Sequence, residues 1–399
     1  MFDQLFRHPA SLARYRTGPM LKERLAYLMH LAGQNYCRSS LRKLAPDLLA
    51  IAKMLGATGS LGKAVALDAV KRKTAQRRHL YPLALRWLRF LDRLQQRHAP
   101  VSPYAKKIRA FADHMERDQG LSPATICGRC WFVARFLNRL NAKSGTLRRI
   151  TPNRIDVSLQ EMLDSQGYAR TTVQTWAQSL RAFFRFAETH GWCRKGLAAC
   201  IRGPRVFSQA SLPLGPSWDD VRRLLATTEG DQPHNIRARA ILMLLATHGL
   251  RAGEVSRLRL EDIDWEREVF SVVASKTKRV RNYPLTRSVG DAILRYLREV
   301  RPCSSHRQLF LSLKPPIRPI NSLWSLVARR LRSLQVTVPH YGPHALRHAC
   351  AGRLLASGLS LKEIGDQLGH TDPDTTRIYA KVDFASLREV ADFDLGGVL

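Results

Sequence analysis

The segment from His344 to Tyr379 carries two histidines, an arginine and a tyrosine at the boundaries of short helical runs, where polar groups can converge on one charged atom. His344 and Arg347 stand at i and i+3, so a helix presents both on one outward face while Leu346, Ala349, Leu354 and Leu355 pack against a core. Those types suit a phosphate: guanidinium offers a planar fork to two oxygens, and imidazole exchanges a proton near neutral pH. A tyrosine hydroxyl, with an ordinary pKa of about 10, becomes a competent nucleophile only beside cations and a base. The neighbouring His370, His344 and Arg347 supply both kinds of group.

The elements that must hold these side chains are marked by their ends. Gly358 fits a left-handed position that stops the first helix, and Ser360 with Glu363 reads as a capping box opening the next. Gly369 breaks that helix and sets His370 at its end, and Pro373 suits the first turn of another short helix carrying Tyr379. Upstream, NIRARAILMLLATHG predicts a helix that delivers Arg251 just past its end, with the guanidinium free to face a ligand. VFSVVAS and NYPL read as a hairpin with Lys276 near its turn, QLFLSL as a third strand, and INSLWSLVARRLRSL as an amphipathic helix capped by Asn321. The expected fold is mainly α with a small β-sheet.

The order H-x-x-R, then L-G-H, then a tyrosine nine residues on resembles the second signature box of the tyrosine recombinase (phage integrase) family. Upstream, ATHGLRAGEVSRLRLEDIDWE at 246–266 is similar to that family's T-G-L-R-x-x-E-x-x-x-L-x-x-x-D-I, with Arg251 in the arginine position and Glu254 three residues on. SKTKRVRNYPL at 275–285 matches the family's hairpin lysine, Lys276 lying eight residues before Pro284 and Lys278 on the same turn. The resemblance implies strand cleavage by Tyr379, a 3′-phosphotyrosyl intermediate and a released 5′-hydroxyl. It implies Lys276 as general acid, His344 accepting the tyrosine proton or assisting through the phosphate, and His370 donating to that phosphate. Arg251 and Arg347 would stabilise the five-coordinate phosphorus, with Glu254 as a buttress. Neither metal nor ATP is expected, because positive side chains do the work of magnesium and the phosphotyrosine stores the bond energy. Exchange between two duplexes implies a homo-tetramer on two DNA sites, with accessory DNA-bending or sister recombinase proteins as further partners. The tail FASLREVADFDLGGVL resembles the segment that such enzymes dock on a neighbour.

Composition supports the same partner. The 399 residues hold 65 Lys+Arg against 32 Asp+Glu, a net charge of +33, which in a folded protein points to a polyanion such as double-stranded DNA. No apolar run is long enough for a transmembrane helix and MFDQLFRHPASLARYR lacks the apolar core of a signal peptide, so a cytoplasmic, nucleoid-associated location without membrane is expected. Seven scattered cysteines fit a reducing compartment, and Cys127 with Cys130 reads as buried structural thiols, not as half of a zinc site.

Four regions follow. Residues 1–99 read as a helical extension that contacts DNA, another protomer or a partner protein, or simply packs. Residues 100–200 read as a four-helix, core-type DNA-binding domain, with Arg129, Arg135, Arg170 and Arg181 as phosphate contacts and Trp131, Trp176, Phe183 and Phe184 as core. Residues 201–216 are a Pro/Gly/Ser-rich linker, and 217–399 the catalytic domain. The leading reading is a site-specific recombinase of a mobile element. Its rivals are a catalytically silent DNA-binding protein of the same fold, a type IB topoisomerase-like enzyme, and a chromosome dimer resolution enzyme.

Overall fold

The computed structural model describes residues 1–56, 64–95, 102–139, 146–164, 167–206, 215–274, 279–370, 372 and 374–382. Two compact units are formed, one from Met1–Gln95 with Ser211–Leu399 and the other from Gln96–Ala210. Near the N-terminus, helices α1 (Leu21–Gly33), α2 (Arg38–Gly56) and α3 (Tyr81–Phe90) close around Leu28, Leu48 and Trp87. Arg24, fully buried there, is tolerated because its guanidinium donates to the carbonyls of Tyr15, Thr17 and Pro19.

The second unit is built from α4 (Ala105–Arg117), α5 (Pro123–Arg139), α6 (Pro152–Asp164) and α7 (Arg170–Thr189). Phe111, Phe136, Trp176, Phe183 and Phe184 fill its core, and the Trp176 indole donates to Phe132 O at 2.9 Å. Trp131 departs from expectation: the residue is 50% exposed and its ring lies under the Arg135 guanidinium at 5.3 Å, on the outer face of α5. Cys127 is likewise exposed, because its position on α5 turns away from the core.

The remaining region opens on α8 (Trp218–Ala226), capped by a reciprocal Ser217–Asp220 box. At its centre runs α9 (Pro233–Thr247), whose residues Ala240 to Ala246 are all buried. Its central stretch is apolar all round because it is packed on several sides, among them by the helices Arg287–Glu299 and Pro343–Ala356. A short α10 (Ala252–Arg257) leads to an antiparallel sheet of β1 (Ile263–Asp264), β2 (Val269–Val273) and β3 (Val280–Pro284), with Phe270 opposite Tyr283. Four helices follow: α11 (Arg287–Glu299), α12 (Trp324–Ser333), α13 (Pro343–Ala356) and α14 (Leu361–Leu368). The described chain ends in α15 (Asp374–Arg377) and a 3₁₀ turn, Ile378–Val382.

The fold is therefore mainly α with a small sheet, and two local expectations are corrected. The QLFLSL segment is no strand of that sheet. Its Leu309, Phe310 and Leu311 are buried as core filling, and it makes only isolated bridges, Gln308 to Arg259 and Leu311 to Pro319. The third strand is Ile263–Asp264 instead. Asn321 does not cap α12, whose first amide, that of Trp324, donates to the Ser322 hydroxyl oxygen at 3.4 Å.

Candidate active site

The C-terminal end of α14 organises the site. A helix leaves its last carbonyls without intrahelical donors, at the negative end of its dipole. Here three successive carbonyls accept from side chains of three other elements. Tyr283 of β3 donates through Oη to Gln367 O at 2.9 Å, Arg347 of α13 through Nη2 to Leu368 O at 2.7 Å, and Arg251 through Nη2 to Gly369 O at 3.2 Å. Gly369 ends the helix at φ +67°, which glycine adopts without strain.

Arg251 is placed by a second glycine turn. Gly249, at φ +60°, follows α9 and packs so closely that an added Cβ would lie 2.4 Å from Leu368 Cδ2. Arg251 then stands just before α10 and bonds to Glu254 by backbone and side chain, Nη1 reaching Oε1 at 3.2 Å. It is held, not free as expected, although 41% of its side chain stays exposed. The Glu254 side chain is fully buried.

Arg347 faces inward, contrary to the expectation that it looks out. It is 2% exposed, and Nη1 also donates to Gly249 O at 2.7 Å, so the same side chain satisfies a carbonyl at each of two chain breaks. Burial, then the neighbouring Arg251, brings its pKa down to about 10, which leaves it charged at neutral pH. His344 is more exposed, and it joins Arg251 and Arg347 along one cleft of about 640 Å³ that also includes Trp324, His340 and Tyr341.

Tyr379 lies on the 3₁₀ turn, not on the preceding α-helix. It is 2% exposed among Cys350, Ile364 and Leu368, and its hydroxyl pairs with His348 Nδ1 at 3.0 Å. The tyrosine therefore bonds to His348, one turn beyond His344, whose ring stacks edge-on against that of His348 at 4.5 Å. Burial pushes the Tyr379 hydroxyl up to about 12, against the opposing pull of Arg347. His370 Nδ1 pairs with Thr376 Oγ1 at 2.7 Å. Arg251, Glu254, His344, Arg347 and His370 are thus brought together, with Tyr379 beside them behind His348. Lys276 and Lys278 fall within 275–278, outside the described residues, as does the tail from 383.

Sequence reasoning passed over His348, Arg281 and Tyr283. His348 shares a helical face with His344 at i+4, and Arg281 alternates with Tyr283 along β3; those spacings were the available signals. Of the expected DNA contacts, Arg135 and Arg170 are exposed, but Arg129 and Arg181 are partly buried, Arg181 donating through Nε to Ile201 O at 3.0 Å.

Comparison with known proteins decides the family. The phage integrase family model matches residues 217–386. A Sinorhizobium fredii protein named as an integrase/recombinase, y4rA, is 34% identical over 334 residues, covering 82% of this chain and 80% of the relative. The chain belongs to the phage integrase family. Tyrosine recombinase XerC of Alcanivorax borkumensis, another relative, is 32% identical across 71% of this chain and 92% of its own. Two solved structures share the integrase fold. The XerH site-specific recombinase in a post-cleavage complex aligns at TM-score 0.56 and 17% identity over 87% of this chain and 95% of that one. The Tn1549 transposon integrase with circular intermediate DNA aligns at 0.54 and 20%, over 72% and 99%. Among the described residues no helix is long and apolar enough to cross a membrane.

The partly buried histidines predict how stability responds to pH. Burial first, then the positive neighbours, holds His348 and His370 at about 4, below the ordinary 6.5. An unfolded chain binds these protons near 6.5 and the folded one only near 4, so acid favours unfolding. Their contribution is complete above about pH 6.5 and is lost as pH falls towards about 4. Melting curves at graded pH are expected to show this decline, shallower in His348→Gln and His370→Gln. A wild-type midpoint that rises between pH 6.5 and 4.5 would contradict it.

Proposed function

We propose that this chain is a site-specific DNA recombinase of a mobile element, cutting and rejoining strands through a phosphotyrosine. The observation that carries the reading is the pair of guanidiniums, Arg251 and Arg347, anchored on successive carbonyls and lining one cleft with His344. Each has N–H groups beyond those bonded to protein, and fixed donors of this kind stabilise the charge that grows on the nonbridging oxygens. The 34%-identical integrase/recombinase relative supports the same assignment.

In the proposed reaction the Tyr379 Oη–P bond forms as the P–O5′ bond breaks. His348, neutral and already bonded to the hydroxyl, takes the phenolic proton. His344 and His370 face the phosphate, and Lys276 gives a proton to the departing 5′-oxygen. Because Tyr379 rests buried, its turn swings out of the Ile364–Leu368 cluster for in-line attack. A 5′-hydroxyl from a second duplex then attacks the phosphotyrosine, returning the proton to Tyr379. Exposed arginines of the helical unit, Arg135 and Arg170, hold DNA phosphates, and four protomers act on two sites.

The test offers the purified chain two duplexes carrying the ends of the element that encodes it. Recombinant products joining the two duplexes are expected. Relaxation of a supercoil without exchange would identify a topoisomerase-like enzyme, and binding with neither product would identify a silent DNA-binding protein.

A further inference from the structure

A third guanidinium enters the site from the sheet. Arg281 lies on the edge strand β3, two residues before Tyr283 and therefore on the same face. Its Nη1 donates to Tyr283 Oη at 2.6 Å, and that hydroxyl in turn donates to Gln367 O at 2.9 Å. Nη2 donates to Glu254 Oε1 at 2.8 Å, the oxygen that Arg251 Nη1 reaches at 3.2 Å. One fully buried carboxylate is thus shared by two cations from separate elements. The fit is close: a Cβ on Gly369 would stand 1.8 Å from Arg281 Nη1, so the glycine before His370 also makes room for this side chain.

Sharing has a consequence for Arg251. A buried carboxylate left with a single guanidinium partner attracts it more strongly, which turns that guanidinium inward and neutralises it. Arg281 shares Oε1 while Oε2 accepts the Arg251 backbone N–H at 2.9 Å, so the Arg251 guanidinium keeps a single bond to the acid and a second to Gly369 O, and its side chain remains 41% exposed. We infer that Arg281 is a positioning residue of strand cleavage, occupying Glu254 so that the Arg251 guanidinium stays turned toward the phosphate. The inference rests on the recombinase reading and adds a residue to it.

The experiment is single-turnover cleavage of nicked duplexes made from the element ends, at saturating protein. Arg281→Ala is expected to slow the chemical step by about 10- to 100-fold, the scale of a misplaced catalytic group, with DNA affinity unchanged. Arg281→Lys, which keeps one bond to Glu254, is expected to recover most of the rate, which separates the effect from misfolding. In a Glu254→Gln background the charge that recaptures Arg251 is gone, so adding Arg281→Ala should change the rate less than about twofold. Full additivity would overturn the proposal. A substrate with sulfur at the bridging 5′ position needs no proton on its leaving group, and the Arg281→Ala loss should persist on it. Recovery there would mean that Arg281 serves leaving-group protonation, and would also overturn it. A wild-type chain that forms no covalent adduct ends both readings; a wild-type adduct with Arg281→Ala at the wild-type rate ends this one alone.

Discussion

Arg347→Ala is expected to lower the rate of strand cleavage about 10³-fold, at the upper end of what loss of one fixed donor to a developing oxyanion costs. The same change is expected to destabilise the fold. Arg347 satisfies the carbonyls of Gly249 and Leu368, and each left unpaired in a buried setting costs roughly 1–3 kcal/mol. The two effects can be separated. Arg347→Lys retains a charge and can reach one carbonyl, but lacks the planar fork that holds both and still faces the cleft. Its melting midpoint should lie between those of wild type and Arg347→Ala, while its cleavage rate stays close to that of the alanine variant. Single-turnover rates beside thermal melts check this. A lysine variant cleaving at the wild-type rate would show that Arg347 acts only as a structural cation.

What the sequence revealed, and what it hid, follows from how far apart the interacting groups lie. The cap at Ser360 and the glycine stops at Gly358 and Gly369 depend on neighbours a few residues away, and they appear where the spacing places them. The arginine boxes are similarly local, so Arg251, Glu254, His344, Arg347 and His370 were legible as a set. Orientation was not. Whether Arg347 points out or in depends on two orphan carbonyls, 98 and 21 residues away, that no helical phase reports. The partner of Tyr379 was missed for a like reason, since His344 and His348 share one face of α13 and only the packing of the 3₁₀ turn selects between them. Arg281 looked like one more basic residue of a basic hairpin until the strand register and the Glu254 carboxylate met. QLFLSL failed differently: an apolar run without periodicity fits a buried strand or core filling equally well.

Tyr379→Phe tests the central claim most directly, because it removes one oxygen and keeps the ring that packs against Cys350, Ile364 and Leu368. The phenylalanine variant should fold and bind DNA as wild type does, since it forfeits one hydrogen bond to His348 and no phosphate contact. Its cleavage should nonetheless be absent, because the oxygen removed is the one that attacks phosphorus in the proposed reaction. The measurement is covalent trapping on a nicked duplex whose short released fragment diffuses away and prevents resealing. Wild type is predicted to give an adduct that survives denaturation, with peptide mapping placing the nucleotide on Tyr379, and Tyr379→Phe to give none. An adduct of equal yield from the phenylalanine variant, or one mapping to another residue, would contradict the account.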